Sequence, residues 1–484
     1  MNSLRSAKRR FFLKTLGASA LATGPSFGVT GANEEIRVGL IGCGVRGNAL
    51  GPQFHGLKGV RVVGISDPDT QRMENHLTKN REREGYEPTQ HQDYRKILER
   101  DDIDVIVVTS PNHWHALHMV QACEAGKDVY IEKPISHKIA EVPFMLEAER
   151  KYDRIVQAGT QNRSDTGLIE AHDFIHSGEI GKITSIRGLC YRNRNSIGRC
   201  KNPPLKPPSS VDYNLWLGPA PDLPIKRANF HYDWNWVWNT GNGDVANQGV
   251  HEIDVMSWFA GDPGTPAKLN SFGQRFAWDD AGQTPNMHTS WYELGGIPAV
   301  FEVNDLWVKP GTNAAPAYKD IRVGVIVTCE GGEFRGGRSG GYIVAPDGKT
   351  RLNKFPGDAG GSHAQNFIDA VRSRKSDGLR GKLKRSGDTA AIAHLANLSY
   401  RTGKATTVAD LREKTLASSP ELLEVLDRQE TQLKRWSIDF DKTPYHLGSE
   451  ARFNPETGKV TGPLADTDFL KPTSRGEFKL PGMG

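Results

Sequence analysis

Ile36-Arg37-Val38-Gly39-Leu40-Ile41-Gly42-Cys43-Gly44-Val45-Arg46-Gly47 decides the fold of this chain. A compact apolar run of strand type ends in glycines spaced GxGxxG, and a helix-compatible segment follows. Gly42 permits a tight turn, Gly44 lets the backbone approach a pyrophosphate, and Gly47 lets helix and strand pack closely, with the helix N-terminus facing the phosphates. A second apolar run, Val60 to Ser66, ends at Asp67, where a carboxylate can accept from two ribose hydroxyls. Strand, glycines, helix, strand and acid together predict a Rossmann unit.

Working outward, the alternation continues. A helical pattern around Tyr94 to Arg100 precedes Ile103 to Thr109, a fully apolar run of the buried parallel-strand type. Ser110-Pro111-Asn112-His113-Trp114-His115 then opens a helix running through Ala125, and strand Asp128 to Ile131 leads into Glu132-Lys133-Pro134. A helix over 138–153 and strand Ile155 to Ala158 complete this half. Ligands of open parallel sheets sit at the carboxyl ends of strands, so the loops at Asp67, Pro111 and Lys133 are expected to line one crevice. Asp67 would repel a 2′-phosphate, which favours NAD; Arg72 is near enough to leave NADP open.

Beyond Gly159 the pattern changes to one helix, Leu168 to His176, and then strands with long turn-rich connections. The strands are Lys182 to Leu189, Leu269 to Phe276, Met287 to Leu294, Ala299 to Glu302, Val323 to Cys329 and Tyr342 to Ala345, which suit an open, mainly antiparallel sheet in an α+β domain. The glycine pairs at 331–332, 336–337 and 340–341 are expected to be turns. Helical patterns recur at His363 to Arg374, Asp388 to Tyr400 and Val408 to Trp436, followed by a Pro- and Gly-rich tail. The expected divisions are a leader over 1–32, a Rossmann domain over 33–160, a substrate and oligomerisation domain over 161–440 and an extended tail over 441–484, either wrapped on a neighbouring subunit or loosely ordered.

Several classes of function fall away. Of 62 basic residues, Arg5, Lys8, Arg9, Arg10 and Lys14 lie in the first 32 positions, which hold no acid, leaving 57 basic against 57 acidic residues. A body with balanced charge has no bulk electrostatic reason to hold nucleic acid or anionic lipid. Lys8-Arg9-Arg10-Phe11-Phe12-Leu13-Lys14 and the small-residue run ending Thr30-Gly31-Ala32 resemble a twin-arginine export signal, a route that carries folded, cofactor-loaded proteins. That implies a periplasmic or otherwise exported protein without a membrane anchor. The five cysteines show no CxxC pair, although Cys190 and Cys200 could pair. His172 and His176, with Glu170 beside them, and the cluster His113, His115 and His118 lack a placed third ligand, so no metal is expected.

Glu132-Lys133-Pro134 after a Rossmann strand, with the glycine loop, Pro111-Asn112-His113-Trp114-His115 and Gly241-Asn242-Gly243-Asp244-Val245-Ala246-Asn247-Gln248-Gly249-Val250-His251-Glu252-Ile253-Asp254, resembles the glucose-fructose oxidoreductase, inositol dehydrogenase and MocA family from Ile36 to about Tyr400. The resemblance implies that Lys133 contacts a reacting sugar hydroxyl, that His251 and the residue four before it complete the site, and that His115 lies on the nicotinamide side. The family's acid stands here as Asn247, which cannot take a proton. His251 is therefore the expected proton acceptor, with Lys133 polarising the hydroxyl; the reverse assignment stays open.

The expected NAD-binding residues are Gly42, Gly44, Val45, Arg46, Gly47, Asp67, Pro111, Asn112, His115, Glu132 and Lys133. The expected substrate-facing residues are Lys133, Arg163, Tyr191, Trp236 and His251, with Trp234, Trp236 and Trp238 sharing one face if extended. The implied function is an exported NAD(P)-dependent oxidoreductase working on a hydroxyl of a sugar, polyol or glycoside, as a homo-oligomer with tightly bound cofactor. The alternatives are an NAD-dependent glycosidase working by transient oxidation and elimination, and a non-catalytic sugar-binding protein.

Overall fold

The computed structural model describes residues 35–482. The leader expected over 1–32 lies outside them. Six strands, β1 (Ile36–Ile41), β2 (Val60–Ser66), β3 (Thr89–His91), β4 (Val105–Val108), β5 (Asp128–Ile131) and β6 (Val156–Ala158), form an all-parallel sheet in the order β3-β2-β1-β4-β5-β6. Strand β4 is Val-Ile-Val-Val, buried along its whole length, as a central strand covered on both faces requires. The order reverses direction between β1 and β4, and the crevice at that switch point is where such sheets take ligands.

The helix Asn112–Glu124 leads out of that crevice and is buried nearly all round, which explains its apolar reading despite three histidines. The helix expected over 138–153 is observed as Val142–Lys151 behind a 3-10 turn. The pattern around Tyr94 yields only one turn, Arg95–Leu98.

A second sheet of 12 strands follows, built on β7 (Ile183–Cys190), β8 (Lys268–Gln274), β9 (Met287–Leu294), β10 (Ile297–Asn304), β11 (Val323–Cys329), β12 (Gly332–Gly337), β13 (Gly340–Val344) and β14 (Arg351–Pro356). Its main path is β14-β13-β12-β11-β7-β10-β9-β8, antiparallel except for the parallel pair β7 and β10. Two of these eight strands, β12 and β14, escaped the sequence reading, as did β3 and the short strands beyond residue 403. In β12 the glycines expected as turns are strand residues paired to β13: a Cβ on Gly341 would stand 2.5 Å from the Arg335 carbonyl oxygen, so the missing side chains allow close backbone approach.

One face of this sheet is covered by the helix Pro420–Arg435, whose Leu422, Val425, Leu426 and Leu433 pack on Phe272, Met287 and Val300. The helix Leu383–Arg401 packs on β8 from the other core. The helix His363–Ser373 returns to the Rossmann half, burying Phe367, Ile368 and Val371 beside Phe54 and Tyr130. The described part of the tail, residues 441–482, packs on the body rather than standing loose: Tyr445–Leu447 and Ala451–Asn454 pair with β8, and Phe478 meets the Trp114 ring edge-on at 5.3 Å. All five cysteines are free thiols, so the possible Cys190–Cys200 bridge is absent. No helix among the described residues is long and apolar enough to cross a membrane.

Candidate functional site

The glycine loop is built from contacts that only glycine tolerates. Gly42 has φ of 99°, and a Cβ there would lie 2.8 Å from the carbonyl carbon and oxygen of Thr109. A Cβ on Gly47 would come within 2.0 Å of the Gly42 carbonyl oxygen, so the helix starting there is pressed against the loop. At Gly44 a Cβ would meet only the Arg72 guanidinium, at 3.1 Å, so the space over Gly44 is open to the cavity. Thr109 pins the loop from β4, its hydroxyl donating to the Gly42 carbonyl at 2.6 Å.

Asp67 closes the other side. It accepts from the backbone N–H of Cys43 at 2.8 Å and of Asp69 at 2.9 Å, tying the end of β2 to the glycine loop. Burial nevertheless pushes its carboxyl up to about 6, against these two donors and Arg72. His231 reaches Asp69 at 2.8 Å from the second half of the chain.

These residues line one cavity of about 340 Å³ at the carboxyl ends of β1, β2, β4 and β5. Gly42, Gly44, Val45, Arg46, Asp67, Pro111, Asn112, His115, Glu132, Lys133 and Asn247 all border it, with Gly47 beneath. Its outer wall comes from Trp216, His231, Tyr232, Trp234 and Asn235, which the sequence reading did not assign to the cofactor. Trp216 lies in a stretch without periodicity; only the tryptophan cluster hinted at Trp234. The open floor over Gly44, the carboxylate at the end of β2 and the aromatic wall fit a dinucleotide: the loop N–H groups would hold its pyrophosphate and Asp67 its ribose.

The inner end of the cavity holds the reactive groups. Glu132 pairs with Arg46 at 2.7 Å; burial pushes its carboxyl up, but Arg46 and Lys133 more than offset that and leave it below the usual range. Lys133 donates from Nζ to the Asn247 carbonyl oxygen. Burial pulls its pKa down, and Glu132 opposes the fall. His115 is a strut, with Nδ1 at 2.6 Å from the Pro134 carbonyl and Nε2 at 2.7 Å from that of Ser110, joining the loops after β4 and β5.

Asn247 faces the cavity through its own support. Its side-chain N–H donates to Asp244 at 2.8 Å, and Asp244, fully buried, is clasped by Arg194 at 2.6 and 3.0 Å. Asp305 lies against Asp244; burial and the charge of Asp244 push its carboxyl well above the usual range. Glu252, held by Gln248 at 3.2 Å, is pushed up to about 8 by burial.

His251 does not border the cavity. Its Nδ1 is buried without a partner, and burial together with Lys133, Arg46 and Arg338 drives its pKa well below the ordinary value, so the ring is neutral at pH 7. Three further expectations are corrected by packing. Arg163 is 4% exposed and spends its guanidinium on Asp254 at 2.8 Å and Asp262 at 2.7 Å, away from the cavity. Tyr191 is 1% exposed and donates from its hydroxyl to Glu302 at 2.5 Å, with Arg428 bonded to it on the other side. Trp236 is buried beneath Arg194 and Tyr232, because Asp233–Trp236 form a 3-10 turn rather than a strand and the three tryptophans scatter. His172 stacks on Trp258 with His176 tilted beside it, and the two histidines bond Asp173 and the Phe259 carbonyl; no cluster of three metal-binding side chains occurs among the described residues.

The fold and site define a dinucleotide-binding Rossmann protein with a second α/β domain closing over its crevice. Residues 36–160 match an oxidoreductase family's NAD-binding Rossmann fold, and residues 179–297 match the same family's C-terminal alpha/beta domain. The chain belongs to this family, the Gfo/Idh/MocA oxidoreductases. It is 31% identical over 170 residues to inositol 2-dehydrogenase of Salmonella paratyphi B, covering 35% of this chain and 49% of that one. It is 32% identical over 158 residues to a glycosyl hydrolase family 109 protein of Shewanella pealeana, covering 28% of this chain and 35% of that one. The chain thus spans about half or less of the length of these curated relatives. The aldose-aldose oxidoreductase of Caulobacter crescentus, complexed with glycerol, shares the fold with a TM-score of 0.56 at 14% identity over 75% of this chain and 96% of that one.

Proposed function

We propose that this chain is an exported NAD-dependent oxidoreductase that works on a secondary hydroxyl of a sugar, polyol or glycoside. The observation that carries the reading is Lys133: a partly buried amine with lowered pKa, in the same cavity as the glycine loop and Asp67. Bound NAD supplies a hydride acceptor. The hydroxyl must lose its proton as the hydride leaves, and a base within hydrogen-bond reach does this best when its pKa is near the working pH.

Lys133 meets that need by position, and the depression by burial brings it closer in pKa. Nζ takes the hydroxyl proton, Asn247 holds Nζ through its carbonyl oxygen, and Asp244, clasped by Arg194, fixes the Asn247 side chain. His251 stays neutral and adds no second positive charge beside Lys133. This favours the reverse of the assignment expected from residue chemistry alone.

Purified protein offered a panel of sugars and polyols should change the absorbance of its nicotinamide at about 340 nm. Lys133→Met should abolish the change by two to four orders of magnitude while NAD still binds. Full turnover by that variant would defeat the assignment. The second reading, a glycosidase using bound NAD transiently, is favoured by the family 109 relative; release of free aglycone without net cofactor change would select it.

The export reading rests on residues 8–14 and 30–32. Outside the cytoplasm a released cofactor is not replaced, so the exported protein should carry about one NAD per chain and return the hydride to an acceptor before the next cycle. Heat-denaturing protein exported by its own leader and assaying the supernatant for NAD tests this; an empty site with activity dependent on added NAD would refute it.

A further inference from the structure

Arginines without carboxylate partners gather at one end of the second sheet. Arg192 follows β7, Arg322 precedes β11, and Arg338 sits in the turn between β12 and β13. Because β7 and β12 both run antiparallel to β11, these three positions share an edge; the Tyr191 N–H donating to the Arg322 carbonyl at 2.8 Å joins two of them.

With Arg335 they line a cavity of about 430 Å³. Four arginines and a single acidic residue, Asp320, line it. Arg335 is neutralised from outside the cavity by Glu333 at 2.7 Å. Arg322 is held by a neutral partner, the Asn193 side-chain oxygen, at 3.0 Å. Among the described residues Arg192 and Arg338 make no side-chain hydrogen bond and no ion pair. The floor is the glycine pairing of β12 with β13, which carries no side chain to fill the space. Like charges gathered around an open, unfilled cavity repel one another until an anion enters, and planar guanidinium groups match the paired oxygens of carboxylate, sulfate and phosphate.

The cavity is tied to the reactive groups through the chain: Arg194, two residues past Arg192, clasps Asp244 at 2.6 Å, and Asp244 accepts at 2.8 Å from the side chain of Asn247, which borders the cofactor cavity.

We propose that the cavity between Arg192, Arg322 and Arg338 is an anion subsite, which holds a carboxylate, sulfate or phosphate substituent of the saccharide whose hydroxyl meets Lys133. The substrate is then an acidic sugar rather than a neutral one. The placement of its hydroxyl rests on the oxidoreductase reading; the anion site itself does not.

The test is calorimetric titration of the full NAD-loaded protein with D-glucuronate, glucose 6-sulfate, glucose 6-phosphate and D-glucose. At least one anionic sugar should bind roughly tenfold or more tightly than glucose, and the advantage should shrink in about 0.5 M salt. The tightest of the three identifies the substituent. Arg192→Gln and Arg338→Gln should each weaken that sugar roughly tenfold and leave glucose binding and the melting temperature unchanged, since neither side chain has a partner to lose. Failure of every anionic sugar to outbind glucose, or an advantage indifferent to both substitutions, overturns the subsite. Arginine-dependent binding without cofactor reduction keeps the subsite and removes the redox reading; turnover of glucose without anion preference does the opposite.

Discussion

Alanine at Gly44 and alanine at Gly47 should separate cofactor binding from folding, although the two glycines belong to one motif. At Gly44 the new methyl carbon would meet nothing but a guanidinium nitrogen at 3.1 Å, the movable end of a long side chain. Stability should therefore change by no more than about 0.5 kcal/mol. The methyl would occupy the floor on which a pyrophosphate must rest, separating it from one loop N–H. A hydrogen bond to a charged group is worth about 1.5–3 kcal/mol, so NAD affinity should fall about 10- to 150-fold. At Gly47 the methyl would stand 2.0 Å from the Gly42 oxygen and 3.0 Å from its carbon, both backbone atoms of a loop pinned by Thr109. Nothing there can rotate away, and overpacking of this kind costs about 1–3 kcal/mol or more. Thermal melting without cofactor and titration of NAD into each variant give the two numbers. A Gly47→Ala protein as stable as the parent, or a Gly44→Ala protein binding NAD undiminished, would refute the division of labour.

Asp67 gives a pH signature: its carboxyl stands at about 6, and only the ionised form accepts from both ribose hydroxyls, so NAD affinity should weaken as pH falls through about 6 and level off above about 7. Asp67→Asn should flatten that profile, as titration between about pH 5 and 8 would show. The sign for stability is the reverse: the folded protein holds this proton at higher pH than an unfolded chain with its carboxyl near about 3.9, so the group's stabilising share is full below about 4 and lost by the time pH passes 6. Arg163→Ala should destabilise by about 3–5 kcal/mol, because it strands buried Asp254, without altering the substrate KM of the protein that remains folded; a normal melting curve would count against it. Asp67→Ser should move preference toward NADP, which paired NAD and NADP titrations would detect.

The Rossmann half was legible because its signals are local. Five of its six strands, the glycine loop and Asp67 each follow from apolar runs and glycine spacing within a few residues, and parallel strands buried on both faces have little room for polar variation; the polar edge strand β3, Thr-Gln-His, carries no such signal. The second sheet was legible only in part. Its β12 holds three glycines in six residues, a poor strand by propensity, and is held by neighbours on both sides that no local window contains. The same holds for the tail, whose strands exist because β8 offers them an edge.

Sequence by itself determined that this chain has a dinucleotide loop, an acid at the end of β2 and a lysine at the end of β5, since these depend on residue type and position along single strands. It could not say which polar residues of the second half face the crevice. Arg163, Tyr191 and Trp236 have the chemistry to hold a sugar, but each meets a nearer partner in the folded chain: Asp254 for Arg163, Glu302 for Tyr191, and Arg194 with Tyr232 for Trp236. Tertiary structure alone sets those pairings, because the partners lie between about 4 and 111 positions away along the chain and a side chain is available to a ligand only when no fixed neighbour has already claimed its charge, its hydrogen bonds or its face.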